Sequence, residues 1–304
     1  MESRGGKDNI IIILGPTSSG KSTVAIKLAR KFNGEIISAD SRQIYRGMDI
    51  GTGKVTATEQ KIARHWMLDI VSPKKNYSAA LFKKEAEKII SDILGRKKVP
   101  IICGGTGFWI KSIVDNVNFP RVKPDWKLRK KLGDLSATKL FSMLKKLDRE
   151  RSKSIDKKNK VRLIRAIEIC KKLGQVPQGI ISGLRSTDYR FLQIGIDVPR
   201  ELLHEKIRKR LKKRFRDGLV EEVRTLKRTG LSWKKIQSFG LCYFWIPLYL
   251  AEKISLDELE ERIYLAEKDY AKRQMTWFRK DKRIIWLRSY ADIEQEAKRF
   301  LSYS

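Results

Sequence analysis

Gly15-Pro16-Thr17-Ser18-Ser19-Gly20-Lys21-Ser22 sets two glycines four residues apart and follows them with a lysine and a hydroxyl residue. Between a strand and a helix, that spacing binds phosphate. The glycines let backbone N–H groups turn toward an anion, and the helix start adds its dipole. Lys21 supplies a cation, and the Ser22 hydroxyl can hold Mg²⁺. Gly15, Thr17, Ser18, Ser19, Gly20, Lys21 and Ser22 are therefore candidate phosphate ligands, with Ser22 also a candidate metal ligand. The loop does not say what the phosphate is for, and a kinase using ATP or GTP is the default. Asp40 ends the string Ser38-Ala39-Asp40 just past a second apolar run, where ligands of open α/β sheets bind, and can serve as a metal-shell residue or as a base. Gly104-Gly105-Thr106-Gly107 follows a third apolar run in the same way and brings the Thr106 hydroxyl to that rim.

The elements that must hold these residues are legible in outline. Ile10-Ile11-Ile12-Ile13-Leu14 is continuous, mostly β-branched and closed by Gly-Pro, which predicts a strand buried on both faces of a parallel sheet. A helix should start at Lys21, with Val24, Ala25, Leu28 and Ala29 on one face. Residues 35–38 and 99–103 read as further strands, joined by an amphipathic helix over 78–94 with Ala79, Phe82, Ala86, Ile89, Ile90 and Ile93 on its apolar face. Strands alternating with helices imply an α/β fold, here a P-loop parallel-sheet core with right-handed crossovers. Strand character returns at 191–196 and 284–287, and helices are expected over 201–215, 219–226, 256–278 and 293–300. Between them, residues 118–190 read as a helical, basic insertion, with 21 Lys or Arg against 7 Asp or Glu, a net +14. The expected domains are thus a core of 8–117 and 191–304 and an insert of 118–190.

Charge points to the partner. The 304 residues carry 67 Lys or Arg and 35 Asp or Glu, a net +32, while hydrophobics at 41% suffice for a packed interior. The excess runs along the whole chain rather than in a tail, so a polyanion such as nucleic acid is the expected partner. Three dispersed cysteines and two histidines make neither a disulfide framework nor a zinc site. The apolar run at 10–14 is too short for a signal segment or a membrane span, so a cytoplasmic, reducing location is expected. Neither a membrane nor an obligate protein partner is implied.

Beyond the phosphate loop, the sequence resembles the tRNA dimethylallyltransferases (tRNA isopentenyltransferases). Asp40-Ser41-Arg42-Gln43-Ile44-Tyr45 is similar to their Asp-Ser-x-Gln-x-Tyr segment, and Arg46-Gly47-Met48-Asp49-Ile50-Gly51-Thr52-Gly53-Lys54 to the stretch after it. His65-Trp66-Met67-Leu68-Asp69-Ile70, Gly104-Gly105-Thr106-Gly107, residues 159–165 with Ala166-Ile167-Glu168, Gly218-Leu219-Val220-Glu221-Glu222-Val223 and Ala271-Lys272-Arg273-Gln274-Met275-Thr276-Trp277-Phe278-Arg279 follow in family order. Phe108-Trp109, Gly240-Leu241-Cys242-Tyr243 and Val55 after Lys54 depart from the usual pattern, and the change at 240–243 bears on RNA contacts rather than on the diphosphate site.

The resemblance implies prenyl transfer rather than phosphoryl transfer. The loop would hold the pyrophosphate of dimethylallyl diphosphate, with Mg²⁺ at Ser22, and the N6 amine of the adenosine 3′ to the anticodon of a tRNA would attack the allylic carbon. Carried over from the family, Asp40 is the general base, Thr106 a donor to the bridging oxygen, and Arg210, eight residues before Gly218, a further cation on the leaving group. A base in a folded anticodon arm must be turned out of its stack to reach a buried diphosphate. Ser41 and Gln43 are placed to read the flipped adenine or its neighbours, Arg129, Arg162 and Arg165 resemble RNA-contacting positions, and the basic insert suits the anticodon arm. The alternatives are an adenylate isopentenyltransferase acting on a free nucleotide, a P-loop kinase, and a non-catalytic RNA-binding protein. The size and charge of the insert favour RNA over a free nucleotide.

Overall fold

In the computed structural model, residues 8–177 and 189–302 are described. Along the chain they form β1 (Asp8–Leu14), α1 (Lys21–Lys31), β2 (Gly34–Ser38), α2 (Ala57–Ile62), β3 (His65–Trp66), α3 (Ala79–Gly95), β4 (Val99–Gly104) and α4 (Gly107–Val114). Next come α5 (Trp126–Gly133), α6 (Ala137–Leu147), α7 (Arg149–Ser154), α8 (Lys160–Leu173), β5 (Tyr189–Ile196) and α9 (Arg200–Arg216). The chain ends with α10 (Leu219–Arg228), α11 (Trp233–Gln237), α12 (Cys242–Leu250), α13 (Leu256–Phe278), β6 (Ile284–Leu287) and α14 (Tyr290–Ser302).

All described strands are parallel, in the order β3-β2-β4-β1-β5-β6. The α/β expectation holds, and the central place of β1 explains its composition. Ile10, Ile12 and Leu14 pack into the core on one face, with Phe82, Ile90, Ile110 and Ile263. Ile11 and Ile13 pack on the other face, with Leu28 of α1 and Ile293 of α14. Register then brings the site together. Leu14 pairs with Gly104, and Ser38 with Cys103, so the chain leaves β1, β4 and β2 at one edge of the sheet. Helix α3 starts where expected because the Ser78 hydroxyl caps the Leu81 N–H at 3.3 Å.

The elements β3, α2, α4, α11 and α12 lie outside the strands and helices expected from the sequence, and two of them show why. β3 has only two residues, too few to show alternation, and is anchored when Trp66 Nε1 donates to Glu35 at 2.8 Å. α12 is apolar around much of its circumference and contains Pro247, which reads as a breaker. Its burial is set by tertiary packing of Cys242, Tyr243 and Ile246.

The chain divides into two compact units, Met1–Val114 with Thr187–Ser304 and Asp115–Ser186. β5 begins at Tyr189, inside the segment read as insertion, because Tyr189 and Arg190 pair with Asp8 and Asn9 of β1. The portion of that segment at 178–188 lies outside the described residues. Within the second unit, Leu140, Leu144, Leu163 and Ile167 form a small core. The four helices α5 to α8 are capped by Asp125, Ser136, Asp148 and Asn159.

Away from the pocket described below, each unit holds a buried, paired carboxylate, Glu35 in the first and Glu168 in the second. Glu35, 1% exposed, accepts from Arg96 and Lys98 as well as Trp66, and the Arg96 hydrogen bonds are the main reason its pKa falls from 4.5 to about 2. For Glu168, burial would raise the pKa, but hydrogen bonds from Arg129, the Asp125 N–H and Arg165 outweigh it and hold the group at about 2. Both folded values lie below the unfolded ones, so this stabilisation is complete above about pH 4.5 and is lost as pH falls toward 2. Urea midpoints should therefore drop through that window, and Glu35→Gln should flatten the drop. An equally steep fall in the variant would remove Glu35 from the linkage.

Candidate active site

The phosphate loop leaves the end of β1 and re-enters the fold at α1. Gly20, the residue before α1, has φ +89°, a left-handed conformation open to glycine at little cost. Lys21 Nζ curls back to the Pro16 carbonyl at 3.1 Å, and burial lowers its pKa while Asp40 opposes that shift. α13 supplies a brace. The Thr17 N–H donates to Gln274 Oε1 at 2.8 Å, and Gln274 Nε2 donates to the Gly105 carbonyl at 2.9 Å, tying the phosphate loop to the loop after β4. A Cβ at Gly105 would lie 2.2 Å from Gln274 Nε2 and would displace the amide that makes this tie.

Cations enter from α9. Arg210 donates to the Thr17 hydroxyl, and its guanidinium is 3.4 Å from the Glu267 carboxylate. One turn later Arg214 pairs with the same carboxylate, which is 1% exposed. Burial, reinforced by the nearby Arg214 charge, lowers the pKa of Arg210 to about 10, so it stays a cation at neutral pH. The buried Oγ atoms of Ser18 and Ser19 and the Nε atoms of Arg210 and Arg214 have no hydrogen-bond partner. Buried donors without acceptors are uncommon, and while Ser18 and Ser19 lie outside its lining, Arg210 and Arg214 line one pocket with Thr17, Lys21, Ser22 and Asp40. An anion with several oxygens would satisfy them.

Asp40 lines the same pocket. Its Oδ1 accepts the Arg42 N–H at 2.9 Å, while the Arg42 side chain donates to the Phe239 carbonyl at 2.8 Å and lies 4.8 Å from the centre of the Tyr270 ring. Gln43 also lines the pocket. Its amide accepts from the Ser38 hydroxyl at 3.1 Å and donates to the Gly53 carbonyl at 3.2 Å. Thr106 and Ser41 bond to each other: Thr106 Oγ1 accepts the Ser41 N–H at 3.0 Å and donates to Ser41 Oγ at 3.3 Å. Neither is among the residues lining the pocket. Ser22 and Asp40 do line it, and a hydroxyl with a carboxylate is a donor set Mg²⁺ uses when phosphate oxygens complete its shell.

The three arginines of the second unit differ. Arg129 and Arg165 are bound to buried Glu168, Arg129 through Nε at 2.9 Å and Nη2 at 2.7 Å, and Arg165 also donates to the Val122 carbonyl at 2.9 Å. Arg162 is exposed on the first turn of α8.

Gln274, Glu267, Arg214 and Glu222 were not singled out from the sequence. Glu222 accepts the N–H groups of Asp49, Ile50 and Gly51 at 2.7, 2.6 and 3.0 Å, which folds Gly51, Thr52 and Gly53 into the pocket wall. Spacing held a weak signal for the others: Arg210 and Arg214 are four apart on one helix, and Glu267 and Gln274 seven apart on another, which puts each pair on a common face.

A parallel α/β core whose phosphate loop, an arginine pair and a carboxylate line one pocket defines an enzyme that handles a phosphate or diphosphate ester. The chain belongs to the IPP transferase family, whose model matches residues 43–281. The tRNA dimethylallyltransferase of Acetivibrio thermocellus is 42% identical over 287 residues, covering 92% of this chain and 91% of that protein. Its counterpart in Carboxydothermus hydrogenoformans is 41% identical over 292 residues, 93% of this chain and 92% of that one. Among solved structures, the tRNA isopentenylpyrophosphate transferase of Staphylococcus epidermidis superposes with a TM-score of 0.72 at 38% identity, covering 98% of this chain and 100% of that chain. A eukaryotic dimethylallyltransferase described as acting on tRNA reaches 0.74 at 25% identity over 89% of this chain and 70% of its own. No helix among the described residues is long and apolar enough to cross a membrane.

Proposed function

We infer that this chain transfers a dimethylallyl group from dimethylallyl diphosphate to the N6 amine of the adenosine 3′ to the anticodon in tRNA, releasing pyrophosphate. The observation that carries the reading is one pocket, in a chain of this family, that is lined together by the phosphate loop, buried arginines and Asp40. A kinase needs an anion site as much as a prenyltransferase does. The curated relatives are tRNA dimethylallyltransferases, and this favours prenyl transfer to tRNA over a free adenylate acceptor or phosphoryl transfer.

In this mechanism the allylic C–O bond breaks as the N6–C bond forms, and the proton lost by the amine passes to Asp40. Negative charge grows on the departing pyrophosphate, where Lys21, Arg210 and the donors of Gly15, Thr17, Ser18, Ser19 and Gly20 stabilise it. Ser22 and Asp40 would hold Mg²⁺ together with the diphosphate, and the ion would supply further charge neutralisation. Thr106 serves the bridging oxygen by turning its proton away from Ser41 Oγ, its acceptor in the absence of substrate. Gln43 and Ser41 contact the flipped base. The basic unit at 115–186 takes the anticodon arm, and the enzyme works in the cytosol on tRNA. The test incubates the protein with Mg²⁺, labelled dimethylallyl diphosphate and tRNA, AMP or ATP. Label in tRNA alone is expected, and label in AMP would overturn the acceptor.

The arginines of the second unit should separate by role. Arg162→Ala should make the slope of log tRNA affinity against log salt shallower by up to about one unit, through loss of one phosphate contact. Arg129→Ala should instead lower the stability of the unit, because it removes two hydrogen bonds from a buried carboxylate. Salt titrations of binding and thermal melts distinguish the two. Equal slopes for wild type and Arg162→Ala would remove Arg162 from the RNA contact.

A further inference from the structure

A second cavity of about 380 Å³ opens where the end of β1, the start of α4 and the turn from α13 into β6 meet. We propose that it binds an adenine nucleotide, independently of the prenyl-transfer pocket. The carrying observation is Gln193. It sits in the middle of β5, between Ile12 and Ile284 on the neighbouring strands, where a sheet buried on both faces otherwise takes apolar residues. It lines the cavity, the residue is 4% exposed, and its amide has no hydrogen-bond partner among the described residues. A primary amide held this way is suited to a ligand that carries a donor and an acceptor side by side.

The walls around the amide are apolar: Leu14, Ile110, Phe278 and Ile284, with the Trp277 indole beside them. Lys111, Lys280, Lys282 and Arg283 also line the cavity, and its single acid, Asp281, already accepts from Arg283 at 2.8 and 2.6 Å. The ligand must therefore be flat and largely apolar, bear a paired hydrogen-bonding edge where it meets Gln193, and carry an anion toward the cations. Adenine offers such an edge in N6 and N7, the pair that glutamine reads bidentately, and a phosphate suits the lysines. A prenyl or acyl chain would leave the amide unsatisfied, and an inorganic anion would leave the apolar walls bare. The volume is at the lower end of the range for small-molecule sites, enough for one nucleotide.

Because the phosphate loop can itself take a nucleotide, the test first saturates the full chain with Mg²⁺ and pyrophosphate and then measures labelled AMP by equilibrium dialysis. One equivalent should bind with a dissociation constant below about 1 mM, and ribose 5-phosphate should not compete. Gln193→Leu should weaken AMP at least tenfold and leave pyrophosphate affinity unchanged. Where that buried change perturbs folding, judged by circular dichroism, the exposed Lys282→Glu decides, with an expected loss of several-fold that grows at low salt. Competition by a short oligoadenylate would assign the nucleotide to RNA, and failure of oligoadenylate to compete would assign it to a free metabolite. Displacement of AMP by pyrophosphate, no binding in its presence, or unchanged affinity in folded Gln193→Leu or in Lys282→Glu would overturn the proposal.

Discussion

Asp40→Asn should lower the single-turnover transfer rate by on the order of 10²-fold or more while tRNA affinity stays within about twofold of wild type. The carboxylate oxygen that accepts the Arg42 N–H has an equivalent in the asparagine carbonyl, so the turn at 40–42 should persist. Lys21, Arg210 and the phosphate loop would keep their places, because Asp40 makes none of their hydrogen bonds. What disappears is a proton acceptor facing the amine as the N6–C bond forms. Rapid-quench measurement with enzyme in excess over tRNA isolates that step from product release. A variant with the wild-type single-turnover rate would take Asp40 out of the mechanism and leave it a loop anchor.

The candidate site residues legible in the sequence are those carried by a continuous string beside a strand end. The phosphate loop, Asp40 and Thr106 each follow a strand, and parallel pairing brings those strand ends to one edge of the sheet. The brace and the counter-ion come from elements distant in sequence. Gln274 reaches Thr17 across 257 residues and Glu267 reaches Arg210 across 57, pairings that no local period encodes. For the same reason Arg129 resembles a surface cation in the sequence, and only folding of α5 against α8 gives it Glu168 as a partner, whereas Arg165 meets Glu168 locally, three residues on along α8. Glu168 itself reads as an ordinary helical acid. Its burial, which makes it structural, depends on Leu140, Leu163 and their neighbours closing the small core of that unit.

Arg210→Ala should cost about 10²–10³-fold in transfer rate, the scale seen when one preorganised donor to developing negative charge is removed. Neutralising the exposed Lys212 on the same helix should change little, since a solvated charge is screened. The geometry explains the difference. Arg210 is positioned by the Thr17 hydroxyl on one side and by Glu267 on the other, so its charge is already aimed at the phosphate loop before substrate arrives. Glu267 spreads its two carboxylate oxygens over Arg210 and Arg214, which leaves the arginine pair with a net positive charge in a buried site. Glu267→Gln should then misplace both guanidiniums and slow transfer as well, but by a different route. Its loss should be accompanied by a lower melting temperature from two buried, poorly compensated cations, whereas Arg210→Ala leaves Arg214 paired and should melt nearly as wild type. Stopped-flow transfer rates measured beside thermal melts on the three variants separate leaving-group stabilisation from scaffold damage. A rate for Arg210→Ala equal to that of Lys212→Ala would show that the charge on the departing pyrophosphate is met by Lys21 and the loop alone.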